Sequence, residues 1–304
     1  MVIISVNVYN IALSSKYIAV IKLISSSLRE AINYEISSQK YTYLIEKYIH
    51  LHQGRDSSRI VYVSDIVLKL LKSQNLQDIK TAEAIASYLE TNKSEILTVK
   101  VVPPGLLYLE PSDLTIASCL QNLVEISFVQ LGGKKNTNEI VDETRNKMLD
   151  VGSLFAVQYA HARCYSLIEL AHQQNLFSWV QQETHQEGSS PQLIAPSPFP
   201  WLRKDGYQKL HFYLSGELLL VKKLVEVSDR LELGATRNWR DWQKLALSVS
   251  HAFDTFWAQC PLLGEVKINC IELAQARCGL VIVTQLLLKR LLEEKLRIYA
   301  PVKI

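Results

Sequence analysis

The sequence predicts a mainly α-helical chain in which a small α+β domain leads into a helical bundle. Three observations carry this. Glycine and proline are sparse, 11 and 9 in 304 residues, too few for a many-turned β architecture. Apolar residues recur at helical spacing through nearly all of the second half. The clearest β-branched, strand-like stretches lie in the first half, around residues 97–110. Hydrophobic residues make up 48% of the chain, which supports a sizeable core and argues against global disorder.

Residues 1–24 are apolar but broken by Asn7, Asn10, Ser14, Ser15 and Lys16. No basic segment precedes an apolar core there, so a short strand and then a helix are expected rather than a signal peptide. Ile21, Ile24, Leu28, Ile32 and Ile36 mark the first helix. Residues 62–72 and 79–90 are expected to form two more. Leu-Thr-Val-Lys-Val-Val at 97–102 reads as a strand, Pro103-Pro104-Gly105 as a turn, and Leu106 to Glu110 as a second strand. Pro111-Ser112-Asp113 opens a helix through residue 126, with Ser112 or Asp113 as its cap. This gives a small α+β domain over 1–128.

Gly132-Gly133-Lys134-Lys135-Asn136-Thr137-Asn138 marks a polar linker, placed at 129–150. The bundle then fills 151–304. Its helices are expected at 154–172, 207–231, 239–259 and 268–297. Between the first two, residues 183–203 hold Pro191, Pro196, Pro198 and Pro200 and read as an extended surface loop. No internal repeat is visible.

Net charge is +3, a milder basic signature than a strong nucleic-acid binder shows. Residues 1–150 balance at 16 basic and 16 acidic, while 151–304 carry 17 against 14, so the excess lies in the bundle. Cys119, Cys164, Cys260, Cys270 and Cys278 form no C-x-x-C pair, which points to buried free thiols in a reducing cytoplasm rather than a disulfide framework or zinc site. No unbroken run of 18 apolar residues occurs, so no membrane association is expected. The histidines are scattered, with His50 and His52 expected in a loop and no H-x-x-x-H pair. No nucleophile–base pair is evident, and no metal or other cofactor is expected.

The stretch Val157-Gln158-Tyr159-Ala160-His161-Ala162-Arg163 lies in the first bundle helix. Tyr159 and Arg163 share a face there as an i,i+4 pair. A tyrosine ring can stack on an unpaired base, and an arginine fork can take phosphate or a base edge. Ala160 and Ala162 leave a thin surface that another backbone can approach. Pattern alone also fits a helix with a half-buried tyrosine and an exposed arginine.

This run resembles the start of the DALR-type anticodon-binding domain of arginyl-tRNA synthetases. Leu247, Ala252-Phe253, Phe256-Trp257 and Cys260 are similar to that family's later Ala-Phe…Phe-Tyr…Cys helix. Ala274, Ala276 and Arg277 begin a last helix like the family's. Leu296-Arg297-Ile298-Tyr299-Ala300-Pro301 is similar to its closing segment. More faintly, residues 62–72, 81–90 and 101–110 are similar in order to the family's N-terminal domain, which touches the corner of the tRNA. The family's Phe-Ile-Asn-Phe after the Pro-Gly turn is replaced by Leu106-Leu107-Tyr108-Leu109. Ala156 stands where the family has an aromatic residue, with Phe155 one place earlier, and the chain ends Lys303-Ile304 in place of Arg-Met.

The family's His-x-Gly-His and Lys-Met-Ser-Lys segments, which bring positive charge to the phosphates of ATP, do not occur here. Between Ser127 and Asp150 there is space for about one βαβ unit of ~30 residues, where a synthetase places its whole catalytic core. The resemblance therefore implies a tRNA-binding protein with no catalytic residues that does not aminoacylate alone. Tyr159, Arg163 and Gln158 would meet the anticodon side. Lys222, Lys223 and Arg237 would contact phosphates, with Lys209 and Lys244 as weaker candidates, and Tyr108 would serve the tRNA corner. A subunit acting in trans with a separate synthetase or tRNA-modifying enzyme is the second expectation. A helical protein-interaction module that has lost RNA binding is the third.

Overall fold

The computed structural model describes residues 19–35, 51–54, 59–73, 79–131, 151–180, 192–234 and 238–304. The chain is mainly helical and divides into two compact units, Met1–Cys119 and Leu120–Ile304.

In the first unit, α1 (Val20–Glu35) buries Val20, Ile21, Ile24, Leu28, Ala31 and Ile32, the face its apolar spacing predicts. The strands are β1 (Leu51–Gln53), β2 (Tyr62–Ser64), β3 (Leu97–Val102) and β4 (Leu106–Pro111). They form one antiparallel sheet in the order β1-β2-β4-β3. Helix α2 (Ile66–Ser73) follows β2, and α3 (Ile79–Lys93) packs against both α1 and β3. Gly105 closes the β3–β4 turn at φ 142°, a conformation that favours glycine.

Two expectations change here. The segment 62–72 is not one helix: its first three residues pair with β4, and the Ser64 hydroxyl accepts the Ile66 N–H at 3.3 Å to start α2. His52 lies in β1 opposite Val63 rather than in a loop.

Helix α4 (Asp113–Leu131) carries the division between the units, at Cys119/Leu120. Ser112 caps it, accepting the Thr115 N–H at 3.1 Å. The first unit was placed at 1–128, yet Leu120 onward belongs with the bundle. One reason is Gln121, whose Oε1 accepts both the Phe199 N–H and the Trp201 indole N–H at 3.0 Å. Of the linker placed at 129–150, residues 132–150 lie outside the described residues.

The second unit contains α5 (Val151–Gln173), α6 (Ser215–Leu233), α7 (Trp239–Gln259), the short α8 (Glu265–Asn269) and α9 (Ile271–Arg290), which runs into a π-helical turn, Leu291–Leu296. Helix α5 packs on α7 and α9, and α6 packs on the same two, giving a four-helix arrangement. Helix α9 is buried almost all round, from Leu273 to Leu288. By length and composition Ile271–Leu296 is apolar enough to cross a membrane, and 83% of its most apolar window is buried within the protein, as in the core helix of a bundle. Gln275, Arg277, Thr284 and Gln285 interrupt the segment, so it contains no unbroken run of 18 apolar residues.

The stretch 183–203 is more than an extended loop. Strand β5 (Ser178–Val180) pairs with β6 (Gln192–Ala195), while Phe199 and Trp201 are fully buried. A Cβ on Gly279 of α9 would lie 2.4 Å from the Trp201 ring, so glycine is what lets this indole into the core. Helix α6 starts at Ser215, later than the expected 207, because Glu217 accepts the backbone N–H groups of Tyr213 and Leu214 at 2.9 and 2.8 Å. The last helix, expected over 268–297, is broken at Cys270 into α8 and α9.

Candidate nucleic-acid interface

Phe155, Tyr159 and Arg163 follow one another at i+4 along α5, so they form one stripe. The Phe155 and Tyr159 rings lie 6.1 Å apart and nearly parallel, at 25°. Both are open to solvent, 55% and 42% exposed. Arg163 Nη1 donates to the Tyr159 hydroxyl at 3.1 Å. Its guanidinium lies 4.7 Å over the indole of Trp257 on α7. The Arg163 Nε is buried and makes no hydrogen bond within the described residues.

The i,i+4 pair read from the sequence is thus brought together. Phe155 and Trp257 were not among the candidates. The signal for Trp257 is its place beside Phe256: neighbours on a helix point about 100° apart, and Phe256 is the one fully buried in the core.

The stripe continues into an open apolar groove of about 500 Å³. Leu167, Leu170 and Ala171 of α5 form one side, and Trp257, Pro261 and Leu262 are among the residues forming the other. One indole therefore lies under the guanidinium and also lines the groove. Beyond Ala171, the Lys267 ammonium lies 3.4 Å from Gln174 Oε1. Two aromatic rings, an arginine held over a third, and an apolar groove can together receive splayed bases and a phosphate.

The other candidates fare differently. Gln158 Nε2 donates to the Tyr299 carbonyl at 2.9 Å, so its amide secures the chain end rather than facing solvent unpartnered. Lys222 is buried at 9% exposure, which removes it as a surface phosphate contact. Lys223 is half-buried and pairs with Glu226 at 2.8 Å. Arg237 lies outside the described residues. Lys209 and Lys244 are exposed. Tyr108, in the first unit, is 37% exposed on β4 and sits in a row across the sheet, His52–Val63–Tyr108–Lys100. Ala160 and Ala162 are buried, so their thin surface serves the bundle's own packing.

His161 is buried on α5. Its Nδ1 lies 2.7 Å from the Pro301 carbonyl and its Nε2 lies 2.9 Å from the Gln285 side-chain amide. A neutral ring with Nδ1–H satisfies both, donating to the carbonyl and accepting from the amide. Burial pushes its pKa down to about 4. The free-chain value is 6.5, so the unfolded state binds the extra proton first as pH falls. The stability this ring contributes is present above pH 6.5 and is lost between there and pH 4, by about 3 kcal/mol in all. Urea melts between neutral and acid pH are expected to show that loss, and His161→Gln should flatten it. An equally steep profile in the variant assigns the acid sensitivity elsewhere.

Cys119, Cys164, Cys260 and Cys278 are buried and Cys270 is exposed; all five are free thiols. Burial raises the pKa of Cys164 and Cys278, and that of Cys260 to about 11, so these three are not thiolate nucleophiles at neutral pH. Among the described residues no group of three His, Cys, Asp or Glu side chains could hold a metal.

Comparison with known proteins returned no matching family model, no matching curated protein and no matching solved structure.

Proposed function

We propose that the chain binds tRNA through the α5–α7 face of its helical bundle and does not aminoacylate it alone. The observation that carries this reading is Arg163: a guanidinium over the Trp257 indole and bonded to Tyr159, next to the solvent-open Phe155–Tyr159 ring pair. An unpaired loop offers what this face lacks, namely bases for the Phe155–Tyr159 rings and the groove, and a phosphate for the fork. The resemblance of residues 157–163 and 296–301 to a DALR-type anticodon-binding domain supports an anticodon loop as that ligand. Arginine tRNA is its first candidate.

The test is a fluorescence-anisotropy titration of tRNA beside an unstructured RNA of equal length. We expect tighter binding of tRNA, and a loss of about tenfold or more between roughly 50 and 200 mM salt as counterions are released. Absence of binding at low salt, or equal binding of the two RNAs, sinks the reading. Arginyl-tRNA formed by the chain alone would overturn its non-catalytic part.

A second reading, a protein-interaction module, rests on exposed apolar groups in the same unit. Leu170 lines the groove and is 38% exposed, and Ile268 and Ile271 are 81% and 41% exposed. A helical partner would fill the groove and leave the Phe155–Tyr159 pair in solvent. The candidate partners are a separate synthetase and a tRNA-modifying enzyme.

A further inference from the structure

We infer that Tyr299 is a third stacking residue of the RNA face, held there by a strap formed from the chain's last described segment. The inference rests on the tRNA-binding reading and adds to it a residue outside the helices.

Residues 297–300 alternate in burial. Ile298 and Ala300 are buried at 7% and 4%, and Tyr299 between them is 65% exposed. With its two neighbours anchored inward, Tyr299 between them is left facing solvent. Three hydrogen bonds fix the backbone on either side of the ring. The Ile298 N–H donates to the Leu292 carbonyl at 2.9 Å, in the π-helical turn. The Tyr299 carbonyl accepts from Gln158 at 2.9 Å, and the Pro301 carbonyl accepts from His161 at 2.7 Å.

An exposed aromatic on a free tail would lose much conformational entropy on stacking. This one is already ordered, which lowers the cost of binding. Its carbonyl is bonded to the residue just before Tyr159, and Phe155 lies one turn earlier on α5. The strap thus docks on the turn of α5 that carries Phe155 and Tyr159, and Tyr299 is exposed there. A ligand for three exposed aromatic rings, two on α5 and one on the strap docked against it, is a run of unstacked bases in single-stranded RNA.

The test compares wild type, Tyr299→Ala, Tyr299→Trp and Tyr159→Ala in the full chain, titrated with one labelled tRNA. Tyr299→Ala keeps the carbonyl that Gln158 holds and removes only an exposed ring, so the fold should persist; circular dichroism checks this. We expect a loss of about tenfold or more, retention in Tyr299→Trp, and an unchanged dependence of log affinity on log salt, because no charge is removed. If Tyr159→Ala weakens binding and Tyr299→Ala does not, the strap inference is wrong and the RNA reading stands. If wild type binds no tRNA, both fall together.

Discussion

Arg277→Met is expected to lower the free energy of unfolding by about 3–5 kcal/mol, because it strands a buried carboxylate. Glu217 is fully buried and Arg277 is 2% exposed, with Nε donating to Oε1 at 2.7 Å. The second carboxylate oxygen accepts the N–H groups of Tyr213 and Leu214, which start α6. Arg277 Nη1 donates to the Pro261 carbonyl at 2.7 Å, just after α7. One ion pair thus ties together α6, α7 and α9. Domains are stable by only about 5–15 kcal/mol, so the loss is a large share of the total. Urea denaturation measures it. The double variant Glu217→Gln/Arg277→Met should recover part of the loss, since the amide still accepts the cap N–H groups and no bare charge remains. A single variant within about 1 kcal/mol of wild type would mean that the interior rearranges to hydrate Glu217.

The face that Arg277 supports was only partly visible in the sequence. Elements set by local chemistry were legible. Of the two cap candidates for α4, Ser112 and Asp113, Ser112 is the cap, and α7 spans the predicted 239–259, where Asn238 caps it with Oδ1 accepting the Arg240 N–H. Elements set by distant partners were not. Tyr62 and Val63 suit a helix as well as a strand, and it is β4, far along the chain, that makes β2 a strand. Phe199 and Trp201 sit among prolines that signal a loop, yet Gln121 and Gly279 give them a place in the core. Leu210, Tyr213 and Leu214 fall at helical spacing, but Glu217 fixes the helix start beyond them.

The candidate site follows the same rule. Tyr159 and Arg163 were legible because helical spacing alone joins them. The Trp257 platform was not, because a cation–π contact between two helices leaves no spacing signature. Lys222 and Lys223 look equivalent as neighbours in sequence. On α6 they diverge, one into the bundle interior and one to Glu226. Two of the candidate phosphate contacts are therefore withdrawn from RNA, and aromatic stacking takes a correspondingly larger share of the proposed affinity.

That balance sets the second large effect. Trp257→Leu and Arg163→Ala should each weaken tRNA binding by roughly 10- to 100-fold, for different reasons that salt separates. Trp257→Leu removes the ring under the guanidinium and one wall of the groove but no charge, so the slope of log affinity against log salt should hold. Arg163→Ala removes one phosphate contact and should reduce that slope by about 0.7–0.9. Arg163→Lys restores the charge but neither the planar fork nor its stacking, so it should recover the slope and little of the affinity. The double variant Trp257→Leu/Arg163→Ala should lose less than the sum of the singles, because each partner positions the other. Free anisotropy baselines and unfolding midpoints, taken on the same samples, keep fold and binding apart. Additive losses with unchanged slopes would place the phosphate contact elsewhere on the bundle and leave Arg163 as a packing residue over Trp257.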